Sequence, residues 1–331
     1  MNEFKYIRAA DRSEAVSQVS NNAQAKFLGG GTNLIDLIKE NVEKPSVLVD
    51  VSRLQLKSIR KTNGGGVSIG ATAKNSETAN HPLIRENYPL LSQAILSGAS
   101  QQIRNMATNG GNLLQRTRCF YFYDTAMRCN KREPGSGCDA LEGLNNYSAV
   151  LGWNEKCVAT HPSDMCVALS ALDAVVKVVN KDGKERSIQF ADFHRLPENI
   201  PEKDNNLNEG ELITSIEIPK SNFAKNSYYL KVRDRTSYAF ALVSVAAALE
   251  MNGQTIKQAR IALGGVAHKP WRAFEAEKIL ANAKAGDAIF TKAAEAALKD
   301  AKALEHNAYK IELAKRAIVR ALKKAVDGGI A

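Results

Sequence analysis

The sequence predicts an α+β chain of two domains, and three observations carry that prediction. Strand-like and helix-like segments alternate over residues 1–70, punctuated by glycine turns. A second run of strands begins near residue 222. Helical spacing then holds from Pro270 to the end. A chain of 331 residues can bury a sizeable core and suits two or three domains or subdomains.

In chain order, AKFLGG reads as a short apolar strand running into glycine, TNLIDLIKE as a helix and PSVLVDVS as a β-branched strand. LKSIRKT and GVSIGATA flank the turn Asn63-Gly64-Gly65-Gly66 and predict a hairpin. From Asn75 to Ser100 the spacing is helical, with Leu83, Ile84, Leu90, Leu91, Ile95 and Leu96 as its core stripe. Residues 113–157 break the pattern. RTRCFYFYDTAMRCNKREPGSGCDALEG mixes charges, aromatics, Pro and Gly without a sustained period. Such a loop has little apolar surface to offset its chain entropy, so it needs a staple. Order resumes with MCVALSALDAVVKVVN, a helix running into a strand, and GELITSIEIP, a strand closed by Pro219. In the second domain YYLKVRD, FALVSVAAALEM and IKQARIALGG are strands, the last two joined by the hairpin turn Asn252-Gly253. WRAFEAEKILANA, AIFTKAAEAALKDAKAL and KIELAKRAIVRALKKAV follow as helices.

Composition narrows the class. The hydrophobic fraction of 44% and charged fraction of 24% are those of an ordinary globular protein. The net charge of +10 would suit nucleic acid, but Lys and Arg are spread along the chain and no nucleic-acid motif accompanies them. They read as solvated faces, with an acidic partner subunit as the lesser alternative. The N-terminus MNEFKYIRAADRSEA has no apolar stretch of a signal peptide, and no run approaches a membrane span. A soluble chain without membrane association is expected. It either stays cytoplasmic or reaches the periplasm already folded, beside a partner that carries the signal.

Three motifs carry chemistry. Gly29-Gly30-Gly31-Thr32-Asn33 follows a strand and precedes a helix, where consecutive glycines let backbone N–H groups approach a phosphate. It is neither G-x-G-x-x-G nor a Walker A loop, and a plain glycine turn fits it equally. Thr108-Asn109-Gly110-Gly111-Asn112 is a second polar glycine loop, and two such loops favour a dinucleotide. The third motif is Cys119, Cys129, Cys138 and Cys157, spaced C-x9-C-x8-C-x18-C. That spacing matches neither the tight pairs of zinc sites nor the common ferredoxin runs. Four thiolates can still hold a four-iron cluster, or a zinc ion, if the loop folds around it. Five cysteines clustered in this way do not suggest a disulfide framework. Cys166 lies on an apolar face with Met165, Val167 and Leu169 and reads as a buried small hydrophobe. His161 reads as a structural hydrogen bonder, and Asp164 as a helix N-cap placed to accept a cofactor hydroxyl.

Taken together, AKFLGGGTNLIDLIK, TNGGNLLQRTRC, HPSDMCVALSALDAVV, GELITSIEIP, KVRDRTSYAFALVSVAAAL and RIALGGVAHKPWR resemble the FAD-binding subunit of the xanthine dehydrogenase and aldehyde oxidoreductase family of molybdenum hydroxylases. The interposed RTRCFYFYDTAMRCNKREPGSGC resembles the bacterial periplasmic aldehyde oxidoreductase type, whose flavin subunit carries an extra [4Fe–4S] cluster. The resemblance implies an FAD domain of the vanillyl-alcohol-oxidase (PCMH) type with two subdomains over residues 1–221, interrupted at about 113–160 by the cluster-binding insertion. A domain of the CO-dehydrogenase-flavoprotein type, a three-stranded sheet with helices, would occupy 222–331.

By position the resemblance implies that Lys26, Phe27, Leu28, Gly29, Gly30, Gly31, Thr32, Asn33 and Leu34 wrap the FAD pyrophosphate. Thr108, Gly111 and Asn112 would form the second cofactor loop, and Asp164 would bind the ribityl or ribose side. Ile213 would touch the cofactor through its strand, and Lys231 would lie near the flavin ring. Cys119, Cys129, Cys138 and Cys157 would ligate the cluster. The implied partners are a large subunit with the molybdenum cofactor, where aldehyde and water become carboxylate, and a small [2Fe–2S] subunit that passes the electrons on. The flavin chain would hand them to an external acceptor. A stand-alone flavin reductase and a flavoprotein with a structural zinc loop are the alternatives.

Overall fold

In the computed structural model, which describes residues 1–329, the strands β1 (Lys5–Arg8), β2 (Ala25–Leu28) and β3 (Val47–Asp50) form a parallel sheet ordered β1-β3-β2. The segment before Ala25, unassigned from the sequence, holds β1 and the helix Arg12–Ser20 that crosses over to β2. Asp11 caps that helix by accepting from the Glu14 N–H at 2.9 Å, so the Asp-x-x-Glu pattern was its start signal. Its apolar face (Ala15, Val16 and Val19) packs on Ala25 and Val49.

The second sheet is antiparallel. Its strands β4 (Ile59–Lys61), β5 (Val67–Gly70), β6 (Val175–Val179), β7 (Glu185–Gln189) and β8 (Leu212–Ile218) run in the order β4-β5-β8-β6-β7. The β4–β5 hairpin is the one the glycine turn predicts. A second hairpin, β6–β7, turns at Asp182-Gly183, an equally strong signal that the sequence pattern had left unassigned. The helical stretch after Asn75 is three helices, Asn75–Asn80, Pro82–Asn87 and Pro89–Ser97, because Pro82 and Pro89 each start a new one. Ile84, Leu90, Leu91 and Ile95 enter the core as expected, and Leu83 packs at its edge. Leu96 does not. It is 45% exposed, since it lies about 100° around the helix from Ile95.

The C-terminal sheet has the three long strands expected: β9 (Ser227–Val232), β10 (Val243–Asn252) and β11 (Thr255–Gly264). Two-residue strands β12 (Trp271–Arg272) and β13 (Ala283–Lys284) add to β11. The alternation along β10 decides how the two halves meet. Val245, Ala247 and Leu249 face the helices Phe274–Leu280, Asp287–Ala297 and Tyr309–Val326. Ala246 and Ala248 point the other way, into the core built on the helices Pro89–Ser97 and Asp164–Ala171. Buried on both faces, the strand reads as a continuous apolar run. Among the described residues, no helix is long and apolar enough to cross a membrane.

Candidate functional site

A cleft of about 1350 Å³ opens where the parallel sheet, the antiparallel subdomain and the C-terminal sheet meet. Its walls include every residue from Lys26 to Leu34, together with Thr108, Gly111, Asn112, Asp164 and Lys231. Ile213 is not brought to these walls. Its side chain lies in the core of β8, 4% exposed.

The glycines of the first loop have a packing role that the sequence did not announce. A Cβ at Gly29 would lie 2.6 Å from Thr108 Oγ1, and one at Gly30 would lie 2.0 Å from the Met106 carbonyl oxygen. The two glycine loops are therefore pressed together, backbone on backbone. Gly31 turns the chain with φ of +74°. From Gly29 to Asn33 the backbone N–H groups make no backbone hydrogen bond among the described residues, which leaves a row of donors at the cleft wall. Asn33 adds to them. Its Oδ1 accepts from the Arg116 N–H at 3.0 Å, while its buried Nδ2 has no protein partner among the described residues. Such a donor row suits a pyrophosphate.

The second loop opens the short helix Asn109–Leu113, with Thr108 Oγ1 accepting from the Gly111 N–H at 3.2 Å. Asn112 donates to Asn75 Oδ1 at 2.7 Å and accepts from Ser163 Oγ at 2.5 Å. This loop is held rigid by its own polar contacts.

Asp164 is not the N-cap. Ser163 holds that position, its Oγ accepting from the Cys166 N–H at 3.1 Å, and Asp164 is the first residue inside the helix. That frees the carboxylate for two contacts from β9. Tyr229 Oη donates to Oδ1 at 2.7 Å, and Lys231 Nζ donates to Oδ2 at 2.8 Å. Lys231 also reaches the Ser97 carbonyl at 3.1 Å. Burial, reinforced by the neighbouring carboxylate, holds the Tyr229 phenol well above its ordinary range.

Behind the first loop, Cys119, Cys129, Cys138 and Cys157 line one small cavity. None is in a disulfide. Cys129 and Cys138 face each other across an isolated antiparallel bridge, and Asn130 stitches the arms by accepting from the Gly137 N–H and donating to the Lys156 carbonyl. Backbone N–H groups point at the sulfurs: those of Tyr121 and Phe122 at Cys119, of Ala140, Leu141 and Val158 at Cys138, and of Ala159 at Cys157. Burial dominates nonetheless, pushing the Cys119 thiol up to about 11 and that of Cys157 to about 12. Burial thus favours the neutral thiols, and a metal bound here would have to displace their protons. Thr117, Cys119, Tyr121 and Ala159 line both this cavity and the cleft, so one thin wall separates the two.

Cys166 lies outside the set, fully buried, its thiol pushed up to about 12 by burial. The sequence did not show that it approaches a histidine pair: His161, Cys166 and His194 place ligand-type atoms within 4.8 Å of one another. His161 behaves as expected, as a structural hydrogen bonder. Its Nδ1 accepts from the Ser163 N–H at 3.3 Å, and its Nε2 meets His194 Nε2 at 3.1 Å. Burial lowers both imidazoles, His194 to about 4. Arg116, singled out by no motif, is the hub between cleft and insertion. It pairs with Glu43 at 2.7 Å and with Asp204 at 2.8 Å, across elements far apart in sequence.

Comparisons with known proteins agree with this geometry. Residues 2–221 match the family of the FAD binding domain in molybdopterin dehydrogenase, and residues 228–325 match the CO dehydrogenase flavoprotein C-terminal domain. The aldehyde oxidoreductase FAD-binding subunit PaoB of Escherichia coli (strain K12) is 47% identical, covering 98% of this chain and 99% of its own. The glyceraldehyde dehydrogenase medium chain of Sulfolobus acidocaldarius is 30% identical over 86% of this chain and 83% of its own. A chain of the reconstituted CO dehydrogenase from Oligotropha carboxidovorans superposes with a TM-score of 0.78 over 99% of both chains, at 23% identity.

Proposed function

This chain belongs to the family of FAD-binding subunits of molybdenum hydroxylases, and from that membership we propose that it is the flavin- and cluster-bearing electron-transfer subunit of a molybdenum-dependent aldehyde oxidoreductase. It is a subunit of an oxidoreductase complex of the aldehyde oxidoreductase and xanthine dehydrogenase family. Aldehyde and water become carboxylate on a large molybdenum-cofactor subunit, and a small [2Fe–2S] subunit delivers the electrons here. The observation that carries the aldehyde assignment is the 47% identity, end to end, with an aldehyde oxidoreductase FAD-binding subunit.

Residues 1–221 form the FAD half, with the insertion at about 113–160, and the second domain, from residue 222, closes the cleft from the other side through residues such as Lys231 and Gly265. FAD, when bound, accepts electrons singly and releases them in pairs, and the protein's part is to hold and orient it. The N–H row from Gly29 to Asn33 and the orphan Asn33 Nδ2 would bind its pyrophosphate. Thr108, Gly111 and Asn112 form the rigid opposing loop. Asp164 and Lys231 line the same cleft, where their ion pair balances both charges and would place a neutral surface against the bound cofactor.

Cys119, Cys129, Cys138 and Cys157 would hold a [4Fe–4S] cluster. Their shared cavity and the N–H groups aimed at their sulfurs support this. Their spread supports a cluster over a lone zinc ion, which would draw four thiolates to about 3.8 Å of each other. Among the described residues, no three of these sulfurs come within 4.8 Å of one another. The thin wall shared with the cleft favours electron exchange with the flavin over a purely structural loop. The test compares the assembled complex with the isolated chain: aldehyde should bleach the flavin only in the complex. Equal aldehyde oxidation by the isolated chain would show a self-contained reductase instead.

A further inference from the structure

Lys131 is a lysine where a hydrophobic residue would serve stability as well. It lies two positions after Cys129, on the wall of the cysteine cavity, with its side chain 1% exposed. Its ammonium donates to Asp204 Oδ1 at 2.5 Å and to the Pro201 carbonyl at 2.6 Å. Asp204 is held in turn by Arg116 at 2.8 Å, with His268 Nε2 at 3.9 Å, and Arg116 is balanced by Glu43 at 2.7 Å. Lys131 is thus a buried cation on the cavity wall, at the head of a chain of alternating charge that runs through Asp204 and Arg116 to Glu43. Buried ion pairs add little net stability over well-packed apolar groups. Their field in a low-dielectric interior is large.

We propose that Lys131 is an electrostatic tuning residue whose buried ammonium, anchored by Asp204, raises the reduction potential of the iron–sulfur cluster held by Cys119, Cys129, Cys138 and Cys157. The inference rests on the cluster assignment made above. One-electron reduction adds a negative charge between the four sulfurs, and a fixed cation at the cavity wall stabilises that charge. Removing the cation leaves the Asp204 carboxylate without its Lys131 partner and disfavours the reduced form. Removing the Asp204 charge instead leaves Lys131 and Arg116 less compensated and favours it.

The two substitutions should therefore shift the potential in opposite directions, which a structural role would not produce. The experiment is an anaerobic redox titration of the assembled complex with dithionite and mediators, following the cluster by electron paramagnetic resonance. Lys131→Met should lower the equilibrium constant for one-electron reduction about tenfold, equivalent to about 59 mV. Asp204→Asn should raise it, and Lys131→Arg should return it to the wild-type value. Shifts in the same direction, no shift with iron retained, or loss of iron from both variants would each overturn the proposal. If Lys131→Met fails to assemble, the sign of the Asp204→Asn shift still decides. Wild-type complex without the cluster signal would instead remove the cluster assignment itself.

Discussion

Lys231 on β9 and Asp164 at the start of the helix Asp164–Ala171 form an ion pair of 2.8 Å, with the two side chains only 4% and 7% exposed. The pair joins the C-terminal sheet to the FAD half on the floor of the cleft. Each partner alone would be a buried charge, and breaking such a pair costs about 3–5 kcal/mol. Lys231→Met should lower the melting temperature and the FAD content together. The double variant Lys231→Met with Asp164→Asn should recover part of the stability. Calorimetry checks both, and an unchanged melting temperature in the single variant would contradict the role given to the pair.

Gly30→Ala places a methyl group 2.0 Å from the Met106 carbonyl oxygen. Overpacking of this kind costs about 1–3 kcal/mol. Here it separates the two loops that form the cofactor wall, so FAD affinity should fall by roughly ten- to a hundredfold. Flavin fluorescence released on dilution measures this. Gly64→Ala, whose Cβ meets nothing within 4 Å, should retain full FAD binding.

Cys129→Ser should remove the iron–sulfur absorbance and loosen the insertion to proteolysis, while Cys166→Ser should leave the absorbance intact. Visible spectra of anaerobically purified variants decide the matter. Equal loss in both would mean that the ligand set is wrong.

His194 and His268 are held to about 4 chiefly by burial, below the ordinary value of 6.5. Between those values the unfolded chain binds protons that the folded chain does not. Stability is therefore present above pH 6.5 and declines as the pH falls towards 4, by up to about 1.4 kcal/mol per pH unit for each histidine. His268→Gln should flatten the fall in melting temperature between pH 7 and pH 5. A slope equal to wild type would show that His268 is already charged in the folded state.

Much of this architecture was legible where period and turn chemistry agree. Asn252-Gly253 between apolar strands gave β10 and β11, and the glycine turn at 63–66 gave β4 and β5. The helices were visible in outline, but Pro82 and Pro89 divide what periodicity alone joined. The two glycine loops, each local in sequence, line one cleft, and the four cysteines of one stretch line one cavity, so these groupings were legible in the sequence. The site's charged hub was not. Arg116, Glu43, Lys131 and Asp204 come from four segments that only the tertiary fold assembles, so no local pattern marks them. The glycine loops also hid half their purpose, because Gly29 and Gly30 are required by each other's neighbours at 106–108 as much as by a phosphate. Ile213, which the family resemblance places against the cofactor through its strand, has its side chain in the core and is not among the residues lining the cleft.

The most direct test is metal and sulfide analysis of the chain purified without oxygen, beside its flavin content. Binding of FAD together with a four-iron cluster predicts about four iron atoms and four labile sulfides per FAD. About one zinc per chain, with neither iron nor labile sulfide, would contradict it and make the cysteine loop a structural staple.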